Sequence, residues 1–300
     1  MNYFRYKTFT TSYFFPNLSQ DKQFMYGLYS AYGGKLSKIY WSLFKKCFLV
    51  RQLTSVNESN LPFPYQTIKN CLGKNTSLAF NMGSPGVEQK ISILGYDNEL
   101  KQPFFAKFSQ KEAAKALTIN EIKIYQLLEN TQLPPKLLHY QITDEYVCLK
   151  AEYIKGERPK NRQLNQQIVD LCLKLKDYHI ENKNKDNLKY SLSHGDFCPW
   201  NMLTSYGNIS LIDWELAKER PLGYDLFTFI CQVSSLFEPG KNLLHAIDQN
   251  NSFIQYYFKQ CDIPDYLPYL KAFAQEKAEY EKGKNNIQLY NKYHQLEQSL

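Results

Sequence analysis

The chain has 300 residues, 43% of them hydrophobic and 22% charged, with a net charge of +7. That composition excludes wholesale disorder, and no run of about 18 apolar residues offers a transmembrane helix. Residues 1–70 carry nine Lys/Arg against only Asp21 and Glu58, while the remainder is balanced, which excludes a uniformly basic nucleic-acid-binding protein and sets the N-terminal segment apart.

Residues 1–34 read as aromatic-rich and irregular, and their start lacks the apolar core of a secretory signal, so no signal is expected. Residues 35–53 read as a helix. Leu36, Ile39, Tyr40, Leu43, Phe44, Cys47 and Phe48 recur at helical spacing and form one apolar face, with Lys38, Lys45 and Lys46 off it. That face packs on the body of the protein, binds a partner, or lies on a membrane surface with its basic flank toward anionic headgroups. Residues 54–65 are polar and contain Pro, as a linker would.

Strand patterns then run over 77–81, 88–95 and 103–108. A helix over 110–130 follows, and two more strands over 137–143 and 145–153. A β-β-β-α-β-β order of this kind gives an antiparallel sheet with one helix. Beyond Gly156 a helix is expected over 163–181. Two short apolar pieces near 190–193 and 209–213 bracket a polar loop, and from 223 onward the pattern is mostly helical. The fold class is therefore α+β, a small antiparallel-sheet lobe followed by a larger, mainly helical lobe. The expected divisions are a basic extension over 1–70, a lobe over 71–154 and a lobe over 155–300. The seven cysteines (Cys47, Cys71, Cys148, Cys172, Cys198, Cys231 and Cys261) are odd in number, scattered and without a CxxC pair. They argue against a disulfide framework or zinc site and for a reducing cytoplasm.

The polar loop carries the strongest chemical signal. It reads His194-Gly195-Asp196-Phe197-Cys198-Pro199-Trp200-Asn201, and Leu211-Ile212-Asp213-Trp214-Glu215 follows an apolar strand. Oxygen donors such as Asp196, Asn201 and Asp213 suit Mg²⁺, which takes one or two protein carboxylates together with phosphates and water. Phosphoryl transfer needs a carboxylate to receive the acceptor's proton and ligands to hold the metal.

The sequence HGDxxxxN followed by IDWE resembles the aminoglycoside phosphotransferase/choline kinase family, whose fold is the two-lobed protein-kinase-like one. The resemblance implies that Asp196 is the catalytic base and that Asn201 and Asp213 are metal ligands. It implies that Asp225 opens a helix and braces the loop. It places Lys107, on the third strand, at the nucleotide phosphates and pairs it with Glu121, with Glu112 as the competing partner. The turn holding Gly83, Ser84 and Gly86 becomes the nucleotide loop. Glu152, by its carbonyl, and Ile154, by its amide, become the hinge contacts to the base. His194 is expected to brace the loop and Cys198 to pack inside it. Mg²⁺ and ATP, with GTP an alternative, are the implied cofactors, bound between the lobes.

These implications make the protein a small-molecule kinase that moves a γ-phosphate to a hydroxyl of an amino alcohol, a sugar or a lipid-linked envelope precursor. The alternatives are a catalytically silent nucleotide-binding scaffold and an aminoglycoside kinase. A protein kinase is disfavoured by the short span from Asp213 to Asp225. The helical region shows no acidic excess to bind a polycation. Tyr256, Tyr257, Phe258, Tyr266, Tyr269 and Phe273 could form a cage for a choline-like cation or could be helix core. The expected location is cytoplasmic, or peripheral at the inner face of a membrane through residues 35–53, with no nucleic-acid partner.

Overall fold

In the computed structural model, residues 2–29, 35–159, 162–180 and 187–300 are described, together with all their side chains except Leu36 and Phe48. The chain divides into two units, Met1–Ile154 and Lys155–Leu300.

The first unit is built on an eight-stranded antiparallel sheet. Its strands are β1 (Asn2–Lys7), β2 (Ser12–Pro16), β3 (Ser55–Asn57), β4 (Thr76–Asn81), β5 (Ile91–Asp97), β6 (Gln102–Ser109), β7 (Leu137–Ile142) and β8 (Val147–Glu152), in the order β3-β1-β2-β4-β5-β6-β8-β7. Among the described residues, four α-helices accompany them: α1 (Lys35–Lys46), α2 (Phe48–Gln52), α3 (Tyr65–Leu72) and α4 (Glu112–Leu127).

The five strands and the helix expected over 77–153 are present as β4 to β8 and α4. Residues 1–34, expected to be irregular, supply β1 and β2, and the expected linker supplies β3. Strand β2 hides from a search for alternation because it is covered on both faces, so both sets of its side chains are apolar; β1 is only partly covered in this way, and β3 has three residues, too few to show a period. Tyr3, Phe14, Leu78, Phe80 and Ile93 point into one core, with Tyr65, Ile68 and Leu72 of α3. Their neighbours Phe4, Tyr13, Phe15, Ala79 and Leu94 point into the other, with Trp41 and Phe44 of α1. The basic segment 1–70 is thus woven into the sheet of the first unit.

The helix expected over 35–53 breaks at Cys47, which is extended with ψ 111°. Its buried side differs from the expected one. Trp41 and Phe44 are buried, while Ile39, Tyr40 and Leu43 are exposed. Trp41 sits within 4.7–5.7 Å of the rings of Tyr6, Phe15, Tyr26 and Tyr29, so aromatic packing turns the helix away from its aliphatic stripe. The expected contributions of Leu36 and Phe48 lie outside the described side chains.

The second unit holds two small antiparallel pairs. The hairpin β10 (Met202–Ser205)/β11 (Asn208–Leu211) is one, and β9 (Tyr190–Ser193) with β12 (Lys218–Pro221) is the other. Around them lie α5 (Gln166–Leu175), α6 (Tyr224–Phe237), α7 (Leu243–Gln249), α8 (Asn251–Gln260), α9 (Leu267–Gly283) and α10 (Ile287–Gln298). Helix α5 starts at Asn165, whose side chain accepts the Ile168 N–H at 3.2 Å, and is shorter than the expected 163–181. Helix α6 is apolar nearly all round and buries every residue from Tyr224 to Cys231. Phe227 stacks on Phe258, and Phe258 also meets Tyr266 and Tyr269. Tyr257, Phe258, Tyr269 and Phe273 are buried, so most of the candidate aromatic cage is core.

Candidate active site

In the second unit the loop 194–201 is fixed from several directions. Asp225, in the first turn of α6, accepts from Ser193 Oγ at 2.8 Å and from the Gly195 N–H at 3.1 Å on Oδ1. It accepts from the His194 N–H at 2.7 Å on Oδ2. A carboxylate in the first turn is also favoured by the helix dipole. Gly195 has φ +84°, and a Cβ there would lie 2.4 Å from the Leu216 carbonyl oxygen, so only glycine fits. His194 is fully buried. Its Nδ1 accepts the Asp196 N–H at 3.3 Å, which leaves Nε2 to donate to the Ile212 carbonyl at 3.0 Å. Both ring nitrogens are thus committed to the loop, and His194 braces as expected.

Asp196 is presented by this frame with its carboxylate part-exposed. Asn201 Nδ2 donates to Asp196 Oδ2 at 2.8 Å and to its carbonyl at 2.9 Å. Gln232 Nε2 donates to Oδ1 at 3.3 Å. Two amide donors hold the carboxylate in one orientation. With its nitrogen turned to Asp196, Asn201 has its Oδ1 as the atom for a cation. The hairpin supplies the second oxygen donor: Met202 pairs with Leu211, and the Ile212 N–H donates to the Asn201 carbonyl at 3.0 Å, so Asp213 is the next residue along. Asp213 has φ +70°, a left-handed conformation that aspartate tolerates better than most residues. A donor set of one amide and one carboxylate oxygen fits Mg²⁺ and suits neither zinc nor copper. Cys198 is fully buried, and burial and the nearby Asp196 push its thiol far above the ordinary range, so it packs. Trp200 is held through its carbonyl, which accepts from Arg158 Nε at 2.9 Å.

Within the first unit, Lys107 on β6 and Glu121 on α4 meet at 2.6 Å, both buried. Tyr125 donates to the other Glu121 oxygen at 3.3 Å. Glu112, the competing partner, binds Lys115 instead at 2.6 Å. Gly83, Ser84 and Gly86 lie in the loop between β4 and β5. Lys107 is opposite Ser92, two residues past the loop's end. The Gly83 N–H donates to Asn81 Oδ1 at 3.0 Å, and a Cβ at Gly83 would lie 2.5 Å from the Lys90 carbonyl oxygen. This glycine therefore shapes the loop, and Ser84 and Gly86 lie in its exposed stretch, 84–88. Lys111 Nζ ties the loop by donating to the Gly86 carbonyl at 2.7 Å. Glu152 ends β8 with its N–H donating to the Lys136 carbonyl, and Ile154 lies two residues past the strand.

Three residues not singled out from sequence complete the support. Gln232 lies seven residues after Asp225, on the same side of α6, so helical periodicity could have found it. Lys277 of α9 is buried and donates to the Gly195 carbonyl at 3.5 Å. Arg220 donates to the Leu216 carbonyl at 3.0 Å and to Glu276 at 2.9 Å. No local signal marks the Lys277–Gly195 and Arg220–Glu276 contacts, because each joins distant segments.

Residues 158–259 match the model of the phosphotransferase enzyme family. The matched stretch contains the loop 194–201, the hairpin after it and Asp213, the residues on which the resemblance rests. Among solved structures it is similar to the amicoumacin kinase hAmiN in complex with AMP-PNP, Ca²⁺ and Ami. Identity is 10%, with 71% of this chain and 82% of that one covered at a TM-score of 0.49. It is also similar to an aminoglycoside-3'-phosphotransferase of type VIII, at 13% identity, 67% and 88% coverage and a TM-score of 0.45. No curated protein matches the chain.

Proposed function

We propose that this phosphotransferase moves the γ-phosphate of ATP, with GTP an alternative, to a hydroxyl of a small molecule. The acceptor would be a sugar or an amino alcohol, free or carried on a lipid-linked envelope precursor. One observation carries the reading: the Asp196 carboxylate is clamped by Asn201 and Gln232 beside the Asp213 hairpin. Asp196 would orient the acceptor hydroxyl and take its proton. Asn201 Oδ1 and Asp213 would hold a Mg²⁺, which supplies charge neutralisation on the triphosphate when bound. In the first unit, Lys107, held in place by Glu121, would contact phosphate. Ser84 and Gly86 would cover it with backbone amides. The Glu152 carbonyl and Ile154 N–H would meet the base. Little covalent chemistry is asked of the protein, since positioning and electrostatics carry phosphoryl transfer. The seven free thiols fit a cytoplasmic enzyme.

The test is thermal stabilisation and turnover with Mg·ATP and Mg·GTP over sugars, amino alcohols, aminoglycosides and membrane extract. Asp196→Ala should keep nucleotide stabilisation and lose roughly 10²–10⁴-fold in acceptor-dependent turnover. Asp213→Ala should lose the Mg·nucleotide stabilisation itself. Nucleotide stabilisation without turnover on any acceptor would instead identify a nucleotide-binding scaffold.

A further inference from the structure

Helix α1 uses only one side to hold the sheet. Trp41 and Phe44 are buried, whereas Ile39 is 57% and Leu43 50% exposed. Along the outward side, Lys35, Ile39, Leu43 and Lys46 follow at steps of four, four and three, a single helical stripe with an apolar centre and a lysine at each end. Lys38 and Lys45 are exposed beside it. Helix α2 and its end continue the apolar exposure with Leu49 at 73% and Leu53 at 89%. No acidic residue occurs between Asp21 and Glu58. Exposed aliphatic side chains clustered within a positive field are a surface arranged for contact, and not isolated exceptions.

We infer that α1 and α2 dock the protein on an anionic phospholipid surface. Ile39, Leu43, Leu49 and Leu53 would enter the headgroup–acyl boundary, with the lysines at the phosphates. The chemistry has two diffuse parts, aliphatic insertion and positive charge, and a bilayer interface accepts both without further specification. Charge complementarity selects an acidic lipid over a neutral one. Lipid docking requires nothing of the phosphotransfer chemistry, so each can fail without the other.

The experiment is co-sedimentation of the full chain with phosphatidylcholine vesicles, with and without phosphatidylglycerol, at low and high salt. Binding is expected only to the anionic vesicles and should weaken with salt. Lys35→Glu with Lys46→Glu should weaken it by at least roughly 25-fold, about fivefold for each lysine lost near the surface. Ile39→Ser with Leu43→Ser should abolish it. All four side chains are exposed, so the melting temperature and circular dichroism should be unchanged in both variants, which separates lost docking from lost fold. Equal binding to both vesicles, no binding to either, or binding indifferent to these substitutions would overturn the inference. So would a self-association in solution that Ile39→Ser with Leu43→Ser abolishes, which would make the stripe a protein–protein interface.

Discussion

At the scale of single residues, the decisive groups are buried charges that have partners. Lys107 and Glu121 are both almost fully buried. Removing one partner of such a pair strands the other charge and costs about 3–5 kcal/mol, whereas replacing both with apolar groups is far milder. Lys107→Ala should therefore lower stability by about that amount, and Lys107→Met with Glu121→Leu should recover most of it while remaining inactive. Paired urea titrations and turnover measurements read both. The same logic gives a pH dependence at Glu276. Burial acts to raise its carboxyl, but Arg220 and Lys218 outweigh it and hold the group below its ordinary value of 4.5. A carboxylate with a depressed folded value adds stability that is present above 4.5 and lost as pH falls toward the folded value. Glu276→Gln should accordingly be less stable than the parent at pH 7, with the gap narrowing as pH falls below 4.5.

At the scale of elements, β9, the loop after it and the start of α6 act as one device. The strand delivers His194 and Gly195 to the Asp225 carboxylate, and α6 returns Gln232 to Asp196. Asp225→Ala would leave the buried His194 N–H and the Ser193 hydroxyl without their acceptor, at about 1–3 kcal/mol for each unsatisfied donor, and the Gly195 N–H with Ser193 Oγ alone. The expected outcome is a large fall in melting temperature. Asp225→Asn, which keeps one acceptor oxygen, should be stable enough to show turnover reduced more than nucleotide affinity. Helix α1 is anchored separately. Phe44 is fully buried among Tyr6, Phe15 and Trp41, and Phe44→Ala should cost about 3–5 kcal/mol, read by chemical denaturation.

At the scale of the whole molecule, the N-terminal segment is structural as well as basic. Strand β2 pairs along β4, and β1 and β3 extend the sheet beyond it. A chain beginning at residue 58 would expose the edge of β4 and uncover Leu78, Ala79 and Phe80, all buried in the intact unit. It should aggregate or bind hydrophobic dyes, and the Mg·nucleotide stabilisation should disappear with it. Retention of a cooperative transition and of nucleotide binding would show that five strands suffice.

What the sequence determined by itself was whatever local spacing encodes. Strands β4 to β8 alternate or run apolar between clear turns, and α4 carries its own period. The fourteen-residue interval from Lys107 spans one strand end and about two and a half helical turns, so it reached Glu121 and passed over Glu112. Asp196, Asn201 and Asp213 could be singled out as candidates because their residue types and short separations are those a phosphoryl-transfer site would need. Tertiary structure alone decided three other matters. The aromatic N-terminus became strands because pairing and two-sided burial, and not alternation, hold it. The buried side of α1 went to Trp41 and Phe44 because a pocket of four rings accepts a bicyclic side chain better than it accepts Ile39 or Leu43. Lys277 became a brace of the loop 194–201 through Gly195, 82 residues away, and Arg220 was tied to Glu276, 56 residues away; contacts over such distances are set by packing that no local pattern records.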